Sequence, residues 1–526
     1  MTWSDQFSRD LSSGSSSPIF LLHVLKYAGT PGREFFICSS PGYGVPEAVG
    51  IEVQMSGSAV SPQGWRYTHG TCSVEVVAES ISNLAYSAIR GSICVVKMGF
   101  PGYSLGEFEP IYCGVVNNIT GSAPSWNITL FDATYLLTSR LSFGAADRSN
   151  QNNLFYNVGG GTSYTTTVAS SGGSGPEFTK NSSTTLDVTD ASIFEKLSGS
   201  GTTGALIADN GTHDQFVLLY DNISGNQIQG ISTLDKFGTR QRNLNAGDTL
   251  FNAAYLEGDP RVILLRLLIS ASNSSTLYDK YPDSWGYGLP IDLIDVDEVI
   301  NVQTVLRSAL SSGSYVLQYV QSQQVTNSWL WLSSWFKSLG IIPVQRQGLI
   351  SMRAIQDPSK RLFWSGYHIS DDDIESVSNW SAYHPEMVAE YQQAEIFTGS
   401  HDPDVAALSF PTTYSVPATL PVADTVSYLA ADKIYQNQTA IANEIKSRVG
   451  LWGPNIAEVV TLQCAGLRLA GLAPADMVYL STEALKGGRI NATRSGYSNQ
   501  PCMVLKVATD FVGGRVTLEL AAIDPL

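Results

Sequence analysis

The sequence predicts a mainly β, multidomain chain with an α+β middle region. Three observations carry that expectation. Short β-branched and aromatic runs, punctuated by Gly and Pro, fill both ends of the chain, which is how strands and their turns read. The length of 526 residues exceeds what one hydrophobic core sustains, because cores stop growing near about 250 residues, and three or four domains are expected. Between Asp259 and about Ile355 the signal turns mixed, with helical patches alternating with strands.

In residues 1–148 the strand pattern falls on Pro18–Tyr27, Glu34–Cys38, Thr71–Ala78, Ile93–Met98, Ile111–Ile119 and Trp126–Phe131. One β-barrel or sandwich is the economical arrangement, closed by a short helix over Phe131–Ser139. Residues 149–175 turn polar, with Gly159-Gly-Gly161 and Ser170–Gly175, and mark a boundary. Residues 176–250 read as a small inserted β-barrel. Its strands, Ser183–Val188, Gly204–Ala208, Gln215–Tyr220 and Asn226–Ile231, are separated by turns such as Asp209-Asn-Gly211 and Ser224-Gly-Asn226.

Residues 251–365 form the mixed connecting domain. A helix starts at Pro260, whose missing amide costs nothing at a first helical position, with Asp259 as cap, and runs to Ser270. It is too short to span a bilayer and too apolar to be solvated all round, so it is expected inside the protein. An aromatic, proline-bounded joint follows over Tyr278–Asp295, then a helix over Asp297–Ser308, a strand over Tyr315–Tyr319 and a tryptophan-rich helix over Asn327–Ser338. Strands Ile341–Gln345 and Leu349–Ala354 make a hairpin around Arg346-Gln-Gly348. In residues 366–526 a helix is expected over 424–447, with Val426, Leu429, Ile434, Ile441 and Ile445 as its apolar stripe. Antiparallel strands follow at Glu458–Leu462, Ala475–Ser481, Cys502–Val507 and Gly514–Leu520. In the last, Val516, Leu518 and Leu520 share one face.

Hydrophobic content is 43% and charged content 15%, the latter well below the roughly 25% of soluble proteins. The net charge of −16 and the absence of a Lys/Arg run speak against a nucleic-acid clamp. Six scattered cysteines, Cys38, Cys72, Cys94, Cys113, Cys464 and Cys502, lack a CxxC pair. They fit reduced, buried thiols of a chain folded in a cytosol better than a zinc site. The N-terminus lacks the basic-then-apolar order of a secretory signal, so the sequons at Asn118, Asn127, Asn210 and Asn491 read as chance matches, and no membrane segment is expected.

Candidate chemistry is sparse. Gly102-Tyr-Ser-Leu-Gly106 matches GxSxG, but a nucleophile elbow needs a helix after the turn, and a strand follows. His213-Asp214 and His401–Asp404 sit in polar, turn-like stretches without a further ligand at helical spacing. Asp371-Asp-Asp373 lacks EF-hand alternation and reads as a capping turn. A carboxylate pair for glycoside cleavage is defined by its separation in the fold, so the sequence leaves it open. Trp285, Trp331 and Trp335 fit a core or subunit interface better than a sugar platform. No catalytic residue, cofactor or metal is assigned.

The run Gly99–Val116 with the following Trp126–Leu137, the inserted unit, the Tyr281–Asp295 joint, the Gln345–Arg353 hairpin and Leu472–Val478 occur in an order that resembles one family. It is the hub protein at the distal end of a bacteriophage tail, which includes baseplate hubs of contractile tails and tail-tip proteins of long flexible ones. One departure is visible: Ala475 stands where Gly-Asp usually introduces a barrel strand. The resemblance implies two tail-tube-like β-barrels plus the inserted small β-barrel, and a homotrimer presenting six barrels to a hexameric tail tube or distal tail ring. It also implies a spike, tip or fibre protein on the opposite side, DNA only as transiting cargo, and a structural role in the virion after assembly in the host cytoplasm. Phe100, Pro101 and Tyr103 of the Gly99–Glu107 loop, with Trp285, Trp331 and Trp335, are the subunit-interface candidates. Two other classes compete. A secreted carbohydrate-binding or glycoside-cleaving protein predicts oxidised cysteines. A receptor-binding tail fibre predicts repeats or long coiled segments, and neither is found.

Overall fold

The computed structural model describes residues 3–14, 17–25, 35–40, 43, 50–61, 66–77, 91–122, 124–137, 165–173, 176–179, 183–194, 203–209, 215–233, 243–258, 260–269, 289, 291–308, 317–321, 332, 341–354, 366–381, 391–396, 425–431, 434–435, 456–484 and 496–523. Strands dominate and lie in several sheets. The largest has fifteen strands and takes its members from both ends of the chain. Its N-terminal part runs Phe35–Cys38, Ile19–Val24, Ile93–Gly99, Glu109–Ser122, Ser125–Asp132, Thr71–Val77, Gly50–Ser56, all antiparallel. It continues through Tyr497–Asp510, Arg515–Ile523 and Ile456–Ala465 to Ile374–Ser381.

Alternation explains why these segments bury one face. In Thr71–Val77 the residues Cys72, Val74 and Val76 are fully buried between half-exposed neighbours, and in Arg515–Ile523 Val516, Leu518 and Leu520 are likewise buried. These side chains meet in one core that extends from Trp3 and Phe7 through Val74 and Leu130 to Val504 and Leu520. All six cysteines are buried thiols outside any disulfide, as expected of apolar strand residues.

Among the described residues no barrel closes. The strand Gly50–Ser56 pairs along one edge with Thr71–Val77 of its own unit and on the other with the C-terminal unit, through Gln54↔Asp510 and Met55↔Thr509. Ala59↔Lys506 adds a second crossing. An edge that isolated units would leave unpaired is thereby satisfied within the chain. The crossing depends on a glycine: a Cβ on Gly57 would lie 1.8 Å from the Val507 carbonyl oxygen. Gly57→Ala is therefore expected to destabilise the chain by about 1–3 kcal/mol, read as a lower urea midpoint, whereas Gly106→Ala, with open space around it, should leave the midpoint unchanged.

The inserted unit and the connecting region share a second sheet. Thr249–Gly258 pairs with Gly204–Asp209 on the inserted side and with Leu317–Gln321 on the connecting side, so the expected boundary at 250 falls inside one strand. Both faces are covered: Leu206, Ala208 and Leu218 pack on one and Ala205, Ile207 and Val217 on the other. In the Pro260–Ile269 helix Ile263, Leu264, Leu267 and Leu268 are all at 1% exposure or less. Its neighbour Val296–Ser308 starts one residue before the expected span. No helix among the described residues is long and apolar enough to cross a membrane.

The helix expected over 424–447 is corrected. Thr425–Ala431 is a strand parallel to Tyr391–Ile396, and Ile434–Tyr435 pairs antiparallel with Leu317–Gln318; residues 436–447 lie outside the described residues. Thr-Val-Ser-Tyr fits a two-residue period as well as a helical one, and the availability of partner strands decides between them. The tryptophan-rich helix is described only at Leu332, which is helical and fully buried.

Candidate functional site

The place where most units meet is the junction of the N-terminal unit, the C-terminal unit and the Ile341–Ala354 hairpin. An N-terminal helix, Asp5–Ser13, opens it. Ser4 caps the helix by accepting from the Phe7 amide, and Gly14 ends it in the left-handed conformation at φ 58°. Phe7 and Leu11, four apart, are its buried face. Trp3 packs edge-on to Phe7 at 5.2 Å, donates its indole N–H to the Pro110 carbonyl at 2.9 Å and its amide to Gln347 at 3.3 Å. The sequence alone led only to the expectation that residues 1–10 are not a secretory signal, with no helix expected there. The missed signal was Ser4 followed by the Phe7 and Leu11 spacing.

The Gly99–Glu107 loop lies under this helix. Phe100 is buried against Phe7 and Tyr103, at 5.7 and 5.8 Å between ring centroids, so its ring belongs to the chain's own core. Tyr103 donates its hydroxyl to Asp10 at 2.6 Å, and Pro101 is exposed. Burial, with Asp10 beside it, raises the Tyr103 pKa. Ser104 begins a short 3-10 turn, Leu105–Glu107, and gives both its amide and hydroxyl protons to the Glu107 carboxylate. Those two bonds hold the Glu107 pKa below its ordinary value, and the chain then enters a strand. The GxSxG match is thus a capping turn.

The hairpin joins the other units. Its turn residues Gln347 and Gly348 sit at φ 49° and 75°, as a two-residue reversed turn requires. Gln345 receives the Tyr67 hydroxyl oxygen as acceptor for its amide at 3.3 Å. Tyr67 in turn donates to Asp132, which is fully buried and also accepts from the Gly70 amide at 2.6 Å and from the Thr134 amide and hydroxyl. His69 Nδ1 approaches Asp132 at 3.3 Å and Thr134 at 2.7 Å. Burial first, and then the Asp132 charge, raise the Tyr67 pKa well above its usual value.

A second buried network lies on the other strand of the hairpin. Arg353 contacts Asp476 at 2.7 Å and Glu298 at 2.7 Å, and Glu298 also holds Arg346 at 2.8 Å. Burial opposes the Arg353 charge, and the Asp476 and Glu298 carboxylates outweigh it, so its pKa is raised. Asp476 also accepts the Ala473 amide at 2.8 Å, while Ala475 between them takes φ 69°. The departure noted in the sequence thus falls where left-handed backbone is required. Ala475→Gly is expected to relieve strain of about 1–2 kcal/mol against about 0.8 kcal/mol for the buried methyl. Thermal unfolding should show a neutral to slightly higher midpoint, and Ala475→Val a clear fall.

The acidic triplet is a structural turn. Asp373 pairs with Arg468 at 2.7 Å and accepts from the Ser370 amide, while Asp371 accepts from Thr482 and the Glu483 amide. No group of three or more His, Cys, Asp or Glu suited to a metal is found among the described residues. Trp285, Trp331, Trp335, His213, Asp214 and the His401–Asp404 cluster lie outside the described residues. The arrangement around the hairpin locks three units together, and its charges are spent on that contact.

No family model matches the chain, and no curated protein matches it. Solved tail proteins of two prophages are similar to it. The 43 kDa tail protein of prophage MuSo2 from Shewanella oneidensis is 8% identical, with a TM-score of 0.37, over 96% of this chain and 98% of that one. Prophage tail protein gp18 from Listeria monocytogenes EGD-e is 9% identical, with a TM-score of 0.37, over 96% and 94%. A chain from the virion of a native gene transfer agent is 13% identical, with a TM-score of 0.18, over 55% of this chain and 93% of that one. At such identities no residue's role carries across.

Proposed function

We propose that the chain is a structural protein of a bacteriophage tail, and within that class a trimeric hub between the hexameric tail tube and a trimeric spike or tip. The observation that carries this reading is the edge-to-edge union of the two end units in one sheet around one core. A subunit that holds two end units in fixed relation is what three copies would need to offer six positions to a sixfold ring, and closed symmetry would then satisfy remaining edges. The order of motifs read from the sequence supports the same assignment. Pro101 and Tyr103 remain interface candidates on the Gly99–Glu107 loop, the first exposed and the second partly so. With a net charge of −16, carboxylates lining the central channel would keep transiting DNA from adhering by like-charge repulsion.

The test is the mass of the purified full chain by light scattering, followed by negative-stain imaging, alone and after addition of the tail tube protein. A particle of three chains with a central hole supports the hub. A chain that stays monomeric with the tube present overturns it, and a lumen rich in Lys and Arg would overturn the proposed role of charge.

A further inference from the structure

The Gly57–Val507 crossing adjoins a pocket of about 50 Å³ at the meeting of the N-terminal unit, the C-terminal unit and the hairpin. Its walls include Ser56, Ser58, Gln345, Gln347 and Thr509, and no charged side chain lines it. Thr509 lies on the Tyr497–Asp510 strand opposite Met55, at 1% exposure, and its hydroxyl has no hydrogen-bond partner within the described residues. A buried hydroxyl without a partner is destabilising, so a strand at the central seam of the largest sheet is an unfavourable place for one. Gln345 donates its amide nitrogen to the Cys113 carbonyl, and Gln347 accepts from the Trp3 amide through its oxygen. Each carries a second amide atom, an acceptor on Gln345 and a donor on Gln347.

We propose that this pocket is a binding site for ordered water, which accepts from or donates to the Thr509 hydroxyl and bridges it to the polar wall of the N-terminal unit and the hairpin. Size and chemistry select the ligand. A cavity needs about 10–15 Å³ to hold one water with two to four polar partners, so about 50 Å³ admits a small cluster. A metal cation would require carboxylate or carbonyl ligands in number, and no carboxylate lines the pocket. Water bridges of this kind are nearly as favourable as direct hydrogen bonds, and here they would couple the two end units beside a backbone crossing too tight to admit a side chain.

Thr509→Val in the full chain decides the matter, because valine keeps the shape and deletes only the hydroxyl. If water is bound, the variant loses a bridged hydrogen bond, and its folding equilibrium constant from urea titration should fall about fivefold to tenfold. A high-resolution crystal structure of the natural chain should then show a density peak within hydrogen-bond distance of the Thr509 hydroxyl. An unchanged or higher urea midpoint would mean that the hydroxyl is dry and its removal harmless, which overturns the proposal. Should the valine chain fail to fold, the map of the natural chain decides alone, and no peak beside Thr509 overturns the proposal equally.

Discussion

Arg353→Ala should lower the stability of the chain by about 3–5 kcal/mol, the cost of leaving buried carboxylates without their cation. The guanidinium bonds Asp476 and Glu298 at 2.7 Å each and also the Met352 carbonyl at 3.2 Å. Asp476 is 9% exposed and cannot recover this loss by hydration, whereas Glu298 at 26% recovers part of it. Arg346 pairs with the partly exposed Glu298, so Arg346→Ala should cost about 1 kcal/mol, in the range of partly solvated pairs. The three carriers belong to different pieces: Arg353 to the hairpin, Glu298 to the Val296–Ser308 helix and Asp476 to the turn before Met477–Thr482. Urea unfolding of the two variants checks the ordering. Equal effects, or an Arg353→Ala loss below about 1 kcal/mol, would show that the network does not hold these pieces together.

Stability should also fall steeply above about pH 9, more steeply than for a protein with exposed thiols. Burial raises the thiol pKa values of Cys72, Cys94, Cys113 and Cys464, the last two to about 12. In the unfolded chain a thiol ionises near about 8.5. Between those values the unfolded state releases protons that the folded state keeps, so the raised pKa contributes stability that is complete below about 8.5 and is lost as pH rises toward 12. Each such group removes about 1.4 kcal/mol per pH unit within its window. From about pH 10 the buried Tyr67, Tyr112 and Tyr497, also raised by burial, add to the slope in the same direction. Urea midpoints at pH 7, 9 and 10 under reducing conditions measure this, and Cys113→Ala should flatten the curve by one group's share. A midpoint constant from pH 7 to 10 would contradict burial of the thiols.

Strand positions in the terminal units were legible because burial of one face writes a two-residue period directly into the chain, as Cys72, Val74 and Val76 show. The Pro260–Ile269 helix was legible from its Asp259-Pro260 start and its dense apolar run, of which Ile263, Leu264, Leu267 and Leu268 are buried. The turn at Gln347 and Gly348 was legible from its glycine. The same local reasoning went astray at 425–431, where a segment compatible with both periods takes its conformation from a partner strand. It missed the Asp5–Ser13 helix, whose two buried residues acquire meaning only once Phe100 and Pro110 are beside them.

What the sequence determined by itself was therefore the kind of element at most described positions: β-rich ends, buried thiols and a hairpin between mixed elements. The tertiary structure alone decided which edges pair, Gln54 with Asp510 and Met55 with Thr509, and which charges meet, Arg353 with Asp476 and Glu298. Those choices join residues far apart in the chain, 55 positions for Arg353 with Glu298 and 123 for Arg353 with Asp476. Local propensity and periodicity say nothing about them, because they depend on how much apolar surface and how many backbone hydrogen bonds each alternative pairing satisfies.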